Sequence, residues 1–584
     1  MKWVPKVAAA LVAAQLAIRA VLAFGGYFYW DDLILIGRAG TQGLLSGEYL
    51  FDDHDGHVMP GAFLLAGAIT RLAPLEWYLP ALSLVVLQLL ASLALVRVLY
   101  LILGWRPVLL VPLTFALFTP LTVPAFAWWA AGLNSLPMLA ALAWVCGDAI
   151  LLVRTGNRRH AMTGALVFFG ALLFFEKSAV IPFVAFAVTA LLAWVGRESV
   201  VAVWHRGIRL WLGMLAVTAG WIGVYLLVVD QQRWTLDLAM TAELWWRSVT
   251  HGIVPGLAGG PWEWQRWAPA SPWATPPVTV MVLGWLVLAA VLAVSLARKE
   301  RIGAVWLAAL GYALACQVPI YLMRSSEFTA LELAQALRYL PDLVVVLAML
   351  AAVALVAPNR PRSAWLDASP ARTGVICVLA AAFVGSSLYS TATFLPVWRD
   401  SPVPQYLHNV RAGLASAPRG TPLLDQEVDP LIMQRVAAPE NLVSHMFAVL
   451  SERPEFASTT TELRVFDSTG QLRDALVTWV RSIVPGPVPN CGYLVQTGAD
   501  VTLPLDGPLL PADWTAEINY LANSEGSLTM SLAEGAPVKV PTHPGLNRVF
   551  VRLSGAGSAI KVSANTAALS VCIAAGPVGF VAPR

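Results

Sequence analysis

Two adjacent carboxylates, Asp31 and Asp32, stand just beyond the first long apolar stretch of the chain, in the segment GYFYWDD. A carboxylate at the edge of an apolar region, among Tyr27, Tyr29 and Trp30, is a candidate general base, because limited water access tunes its pKa. One acid suffices to take a proton from an attacking hydroxyl; the other can orient it or bind the acceptor. Three cations are candidates to stabilise a departing phosphate: Lys177 in a short turn, and Arg324 and Arg338 in a later polar loop with Glu327 and Glu332. The arginine fork matches phosphate geometry. A third constellation is FDDHDGH at 51–57. Its Asp52, Asp53 and Asp55 could hold a divalent cation (Mg2+, Mn2+ or Ca2+), or simply form a hydrated acidic turn. The spacing fits neither an EF-hand nor a HExxH helix. His57 is a candidate contact for a donor phosphate or an acceptor.

The elements that position these groups are membrane spans. Of the 584 residues 58% are hydrophobic and 12% charged, and the mean hydropathy is +0.67. Eleven apolar stretches are expected to span: 7–25, 77–100, 107–126, 130–153, 161–175, 179–196, 210–229, 275–297, 302–320, 338–357 and 371–391. With the N-terminus inside, every even-sided loop is basic, as a cytoplasmic face should be. This requires 61–72 to be a helix at the outer surface rather than a span. It places the candidate residues, the tryptophan-rich loop 230–274 and the C-terminal region on the outer side of the plasma membrane. Cys146, Cys316 and Cys377 lie in or beside apolar segments and read as packing residues.

The short inner loops contain no GxxxxGK phosphate loop and no dinucleotide fingerprint. A reaction fed by cytoplasmic nucleotides is therefore unsupported, and nothing suggests nucleic acid as a partner. A sugar carried on a polyprenyl phosphate would meet the needs of an outer-face site. Its lipid stays in the bilayer and its phosphate sits at the surface. Transfer then needs a base, cationic groups at the leaving phosphate, and a groove for the tail. No metal is required by this chemistry, although a divalent cation at 52–55 would be compatible with it.

At this point the chain resembles the GT-C superfamily of integral membrane glycosyltransferases. The likeness rests on WDD at 30–32, a helix-like 33–46, DDHDGHVMP at 52–60 and a second short helix at 61–72, with the span layout of 1–391. The resemblance implies Asp31 as general base, Asp32 as its partner or substitute, His57 near the donor, and Arg324 at the phosphate. The turn reads GHVMPG, where such enzymes often have His-Pro. WWAAG at 128–132 and WWRS at 245–248 lack the aspartate of the Trp-Trp-Asp motif, which disfavours protein N-glycosylation. The layout also looks like that of actinobacterial cell-wall enzymes that use decaprenyl-phosphate arabinofuranose. It implies a cell-envelope glycan or glycolipid acceptor and membrane lipids as partners. A polymerase or ligase acting on lipid-linked oligosaccharide could share an outer-face cavity. A transporter would need mid-bilayer charges and an internal repeat; most charges cluster near the faces, with Arg19 the exception, and no repeat is evident.

The fold class expected is a polytopic α-helical membrane domain of GT-C type (1–391), a mixed helical region on the outer face (392–487) and a β-sandwich (488–584). Cys491 and Cys572 are the only cysteines of the tail. They can form a disulfide tying the first and last strands in an oxidising exterior, or remain two core thiols. Trp514, Asn519 and Tyr520 can contact sugar or fill the core.

Overall fold

The computed structural model describes residues 2–229, 237–326, 329–360, 370–418 and 420–584. Glu327 and the first part of the tryptophan-rich loop lie outside them. The chain forms two compact units, Met1–Ser401 and Pro402–Arg584.

The first unit is helical. Eight of its described helices are long and apolar enough to cross a membrane, and nine if the bent pair Pro107–Phe118 and Pro120–Ala127, inclined at 44°, forms one span. Two of the eleven expected segments give helices shorter than that. The segment 161–175 yields the 14-residue helix Arg159–Leu172. The segment 338–357 yields the 16-residue helix Pro341–Val356. Pro341 causes the second difference: proline is pre-set for the first helical position, so Arg338 and Tyr339 fall outside the helix in a 3-10 turn, Leu337–Tyr339. Arg19 is buried and donates to Thr122 Oγ1 at 2.5 Å.

Between the first two spans lie the helices Asp31–Thr41 and Pro60–Leu72, the second again opened by its proline. They are joined through the turn His54–His57. His54 and His57 exchange backbone hydrogen bonds of 3.1 and 3.0 Å. Asp55 and Gly56 between them have φ of 52° and 82°. Two central residues at positive φ are what an Asp-Gly pair accommodates in a tight reversal.

The second unit is sheet-rich. Its long strands Val501–Ala522 and Gly545–Ala564 pair antiparallel, from Val501 opposite Val562 to Ala522 opposite Gly545, with register shifts between Pro504 and Ala512. Alternate residues such as Leu503, Ile518, Val551 and Ile560 build the core. Trp514 and Tyr520 belong to that core, the second of the two readings the sequence left open. Trp514 packs on Phe580 with ring centroids 4.6 Å apart, and the Tyr520 hydroxyl accepts from the His543 N–H. Asn519 Nδ2 reaches Glu517 at 3.4 Å. Cys491 and Cys572 are bonded, with Cα atoms 4.8 Å apart. The bridge joins neighbours: Cys572 lies in Ser570–Ile573, which pairs with Tyr493–Gln496 just after Cys491. It does not tie the first strand to the last, because Pro577–Gly579 and Val581–Pro583 follow it.

The disulfide closes a loop with a sequence separation of 81. Chain entropy alone makes that worth about 4 kcal/mol. The double variant Cys491→Ser/Cys572→Ser should melt the second unit at lower temperature, read by scanning calorimetry; an unchanged midpoint would contradict a stabilising bridge.

Candidate active site

The site is built on the first turn of Asp31–Thr41. Free backbone N–H groups and the helix dipole favour carboxylates there. The approach is constrained: Tyr29 packs edge-on against Trp128 and Trp398, with centroids 4.9 and 5.5 Å away, and Trp30 holds a φ of 41° immediately before Asp31. A non-glycine residue in that region is strained and persists only where its surroundings over-determine it.

The two acids have different surroundings. Asp32 is fully buried. One of its oxygens accepts the Tyr29 N–H at 2.9 Å and the other the Ala130 N–H at 2.8 Å. Ala130 lies in the first turn of Trp129–Thr155, so Asp32 also caps that helix. Burial pushes its pKa up, against the two backbone donors. Asp31, by contrast, is partly exposed. Burial raises its pKa to about 6; Arg338 opposes the rise, Asp55 adds to it, and His57 and Arg324 oppose it further. A carboxyl poised there is ionised at neutral pH yet basic enough to accept a proton.

His57 faces the same region. Its Nδ1 lies 2.7 Å from Glu176 Oε1. Burial alone would lower its pKa, but Glu176 outweighs this and leaves it raised. The Tyr225 hydroxyl secures the turn by donating to the Gly56 carbonyl at 2.9 Å. His54 points the other way, against Phe63, and burial drops its pKa to about 3. The aspartates of the turn do not converge. Asp52 pairs with Arg38 at 2.5 Å, Asp53 accepts the Gly56 N–H at 2.7 Å, and Asp55 is exposed. Among the described residues no group of three or more His, Cys, Asp or Glu is arranged to hold a metal. The three aspartates of the expected cation set thus point apart, because Arg38 engages Asp52 and the turn itself engages Asp53.

Arg324 and Arg338 meet on one atom. Arg324 Nη1 and Arg338 Nη2 donate to the Tyr339 hydroxyl at 3.1 and 2.8 Å. Arg338 also lies over the Trp128 ring at 4.9 Å and reaches Ser271 Oγ at 3.3 Å. Burial would raise the Tyr339 phenol, but Arg338 and Arg324 more than offset it and leave it below its ordinary value. Two guanidiniums within hydrogen-bond distance of one oxygen form a clamp for a single anionic group. Lys177 is engaged elsewhere, 2.8 Å from Asp342. The sequence reading missed Tyr339, Asp342 and Ser271. The signal for the first two was Pro341, which ends the preceding loop at Arg338–Tyr339 and puts Asp342 in a helical first turn.

No family model matches this chain, and no curated protein matches it in sequence. Among solved structures it is similar to ArnT from Cupriavidus metallidurans bound to undecaprenyl phosphate, at 13% identity and a TM-score of 0.43, over 77% of this chain and 85% of that one. It is also similar to the arabinofuranosyltransferase AftD from Mycobacteria, at 13% identity and a TM-score of 0.33, over 98% of this chain and 62% of that one. Both scores are below 0.5, too loose to carry a conclusion about this chain's fold or reaction.

Asp31→Asn should leave the protein folded and reduce turnover by about 10²–10⁴-fold, the usual yield of a general base. Asp32→Ala should act on stability instead. It strands two buried N–H donors, at a cost of about 3 kcal/mol. Melting temperature and turnover measured on both variants separate the roles; the reverse pattern would exchange them. A base must be ionised to work, so kcat/KM should fall as pH drops below about 6, the value of Asp31.

Proposed function

We propose that this protein is a multi-pass, extracytoplasmic-facing glycosyltransferase of GT-C type that moves a sugar from a polyprenyl-phosphate donor to a cell-envelope glycan or glycolipid. The observation that supports this reading best is the pairing of a partly exposed carboxyl poised near 6 with a two-arginine clamp acting on it. Asp31 takes the proton of the acceptor hydroxyl as its oxygen attacks the anomeric carbon. The bond from that carbon to the phosphate oxygen breaks, and its electron pair leaves on the polyprenyl phosphate. Arg324, Arg338 and the Tyr339 hydroxyl stabilise the charge that grows there. Attack opposite the leaving phosphate inverts the anomeric configuration, and no covalent sugar–protein intermediate is needed. His57, held by Glu176, faces the donor from the turn.

The alternative of a lipid-diphosphate oligosaccharide polymerase or ligase fits less well. The clamp converges on one oxygen, the span of one phosphoryl group, and Lys177 is neutralised by Asp342. Decaprenyl-phosphate arabinofuranose as the donor rests on the resemblance of layout alone. Two guanidiniums supply the positive charge in this mechanism, so it uses no divalent cation. The basic inner loops support placement of the site outside the cytoplasm.

The test is transfer by the purified protein from a panel of polyprenyl-phosphate sugars to envelope glycan, with the corresponding diphosphates in parallel. Product from a monophosphate donor, lost in Asp31→Asn and Arg338→Gln and retained within twofold in EDTA, is the expected result. Product from diphosphates alone would favour the polymerase reading, and collapse of activity in EDTA would return a metal to the mechanism.

A further inference from the structure

Lys177 donates from Nζ to Asp342 Oδ1 at 2.8 Å and to the Tyr339 backbone carbonyl at 3.2 Å. The other oxygen of Asp342 accepts the Tyr312 hydroxyl at 2.6 Å. Three separate elements thus converge: the 3-10 turn Glu176–Val180, the helix Gly303–Ala315 and the first turn of Pro341–Val356. The Lys177 and Asp342 side chains are only 14% and 4% exposed. A buried ion pair is seldom a net source of stability, because desolvating both ions offsets their attraction, and an apolar pair of similar volume does as well. Its placement therefore calls for another explanation.

The pair sits directly behind the clamp. Arg338 and Tyr339 belong to a turn of three residues, closed by the Leu340 N–H on the Leu337 carbonyl at 3.0 Å. So short a turn does not fix its own orientation. The helix that follows uses the Leu340 carbonyl as an acceptor, from Val344, and the Tyr339 carbonyl precedes it. Lys177 supplies a donor to that carbonyl, and Asp342 holds Lys177 in place.

We propose that Asp342 is a positioning residue, which by fixing Lys177 on the Tyr339 carbonyl aims the Arg338 guanidinium and the Tyr339 hydroxyl at the donor phosphate. This rests on the reading above that the clamp binds that phosphate, and it turns Lys177 from a phosphate contact into a tether. Asp342 is suited to the task. Lys177 holds one of its oxygens and Tyr312 fixes the other.

The experiment measures binding of undecaprenyl phosphate alone to the full chain in nanodiscs, with melting temperature as the check on folding. The paired variant Lys177→Met/Asp342→Leu replaces both ions by apolar groups and should stay folded, with affinity reduced about tenfold by loss of the tether. Tyr312→Phe removes one hydroxyl and should weaken binding about threefold. Lys177→Arg, which keeps the donors, should stay within about threefold of the native protein. In transfer assays the paired variant should raise the donor KM more than it lowers kcat. Wild-type affinity in the folded paired variant overturns the proposal. If that variant does not fold, wild-type affinity in Tyr312→Phe overturns it instead. Arg338→Gln keeps the two readings apart: wild-type affinity there removes the clamp itself, whereas weak binding there with normal binding in the paired variant removes only the role of Asp342.

Discussion

The structure depends on one buried carboxylate. Asp32 accepts a hydrogen bond from the strained approach at Tyr29 and another from the start of the helix at Ala130. It therefore locks the loop between the first two spans onto a long, largely buried helix. Both oxygens are used, and neither donor has another acceptor if the carboxylate goes. A side chain that is costly to bury is kept because it serves two elements at once. Its neighbour can then carry chemistry without carrying structure.

That division of labour was only half legible in the sequence. Adjacent acids beside a span read as a functional pair, and the short helix after them was expected near 33–46. Asp31 and Asp32 are equivalent in composition and spacing, however. The fold distinguishes them, above all through Ala130, 98 residues along. The membrane class, the paired short helices after the first span and the Cys491–Cys572 bond were readable because each follows from local pattern or from a shortage of alternatives. The start of the helix within 338–357 was not, because a hydropathy window runs across the proline that opens it. The three acids at 52–55 do not converge among the described residues, for a related reason. Acid spacing says nothing of partners, and here a tight turn and Arg38 take up Asp52 and Asp53.

The arginine clamp shows how a site can be completed from far apart in the chain. Arg324 ends one helix, Arg338 and Tyr339 precede another, and Lys177 reaches in from a third region. Only Pro341 marked Tyr339 beforehand, because a single tyrosine beside an arginine has no signature of its own. Its importance lies in its hydroxyl, which both guanidiniums share. Tyr520, left open between sugar contact and core, is buried, and its hydroxyl accepts from a backbone N–H within the sheet-rich unit.

The shared phenolic oxygen has a consequence for the resting protein. Two positive groups held side by side repel, and a phenol relieves that repulsion only in part. On the proposed function, a donor phosphate would relieve the rest of that repulsion, so the polyprenyl-phosphate carrier would also stabilise the protein that binds it.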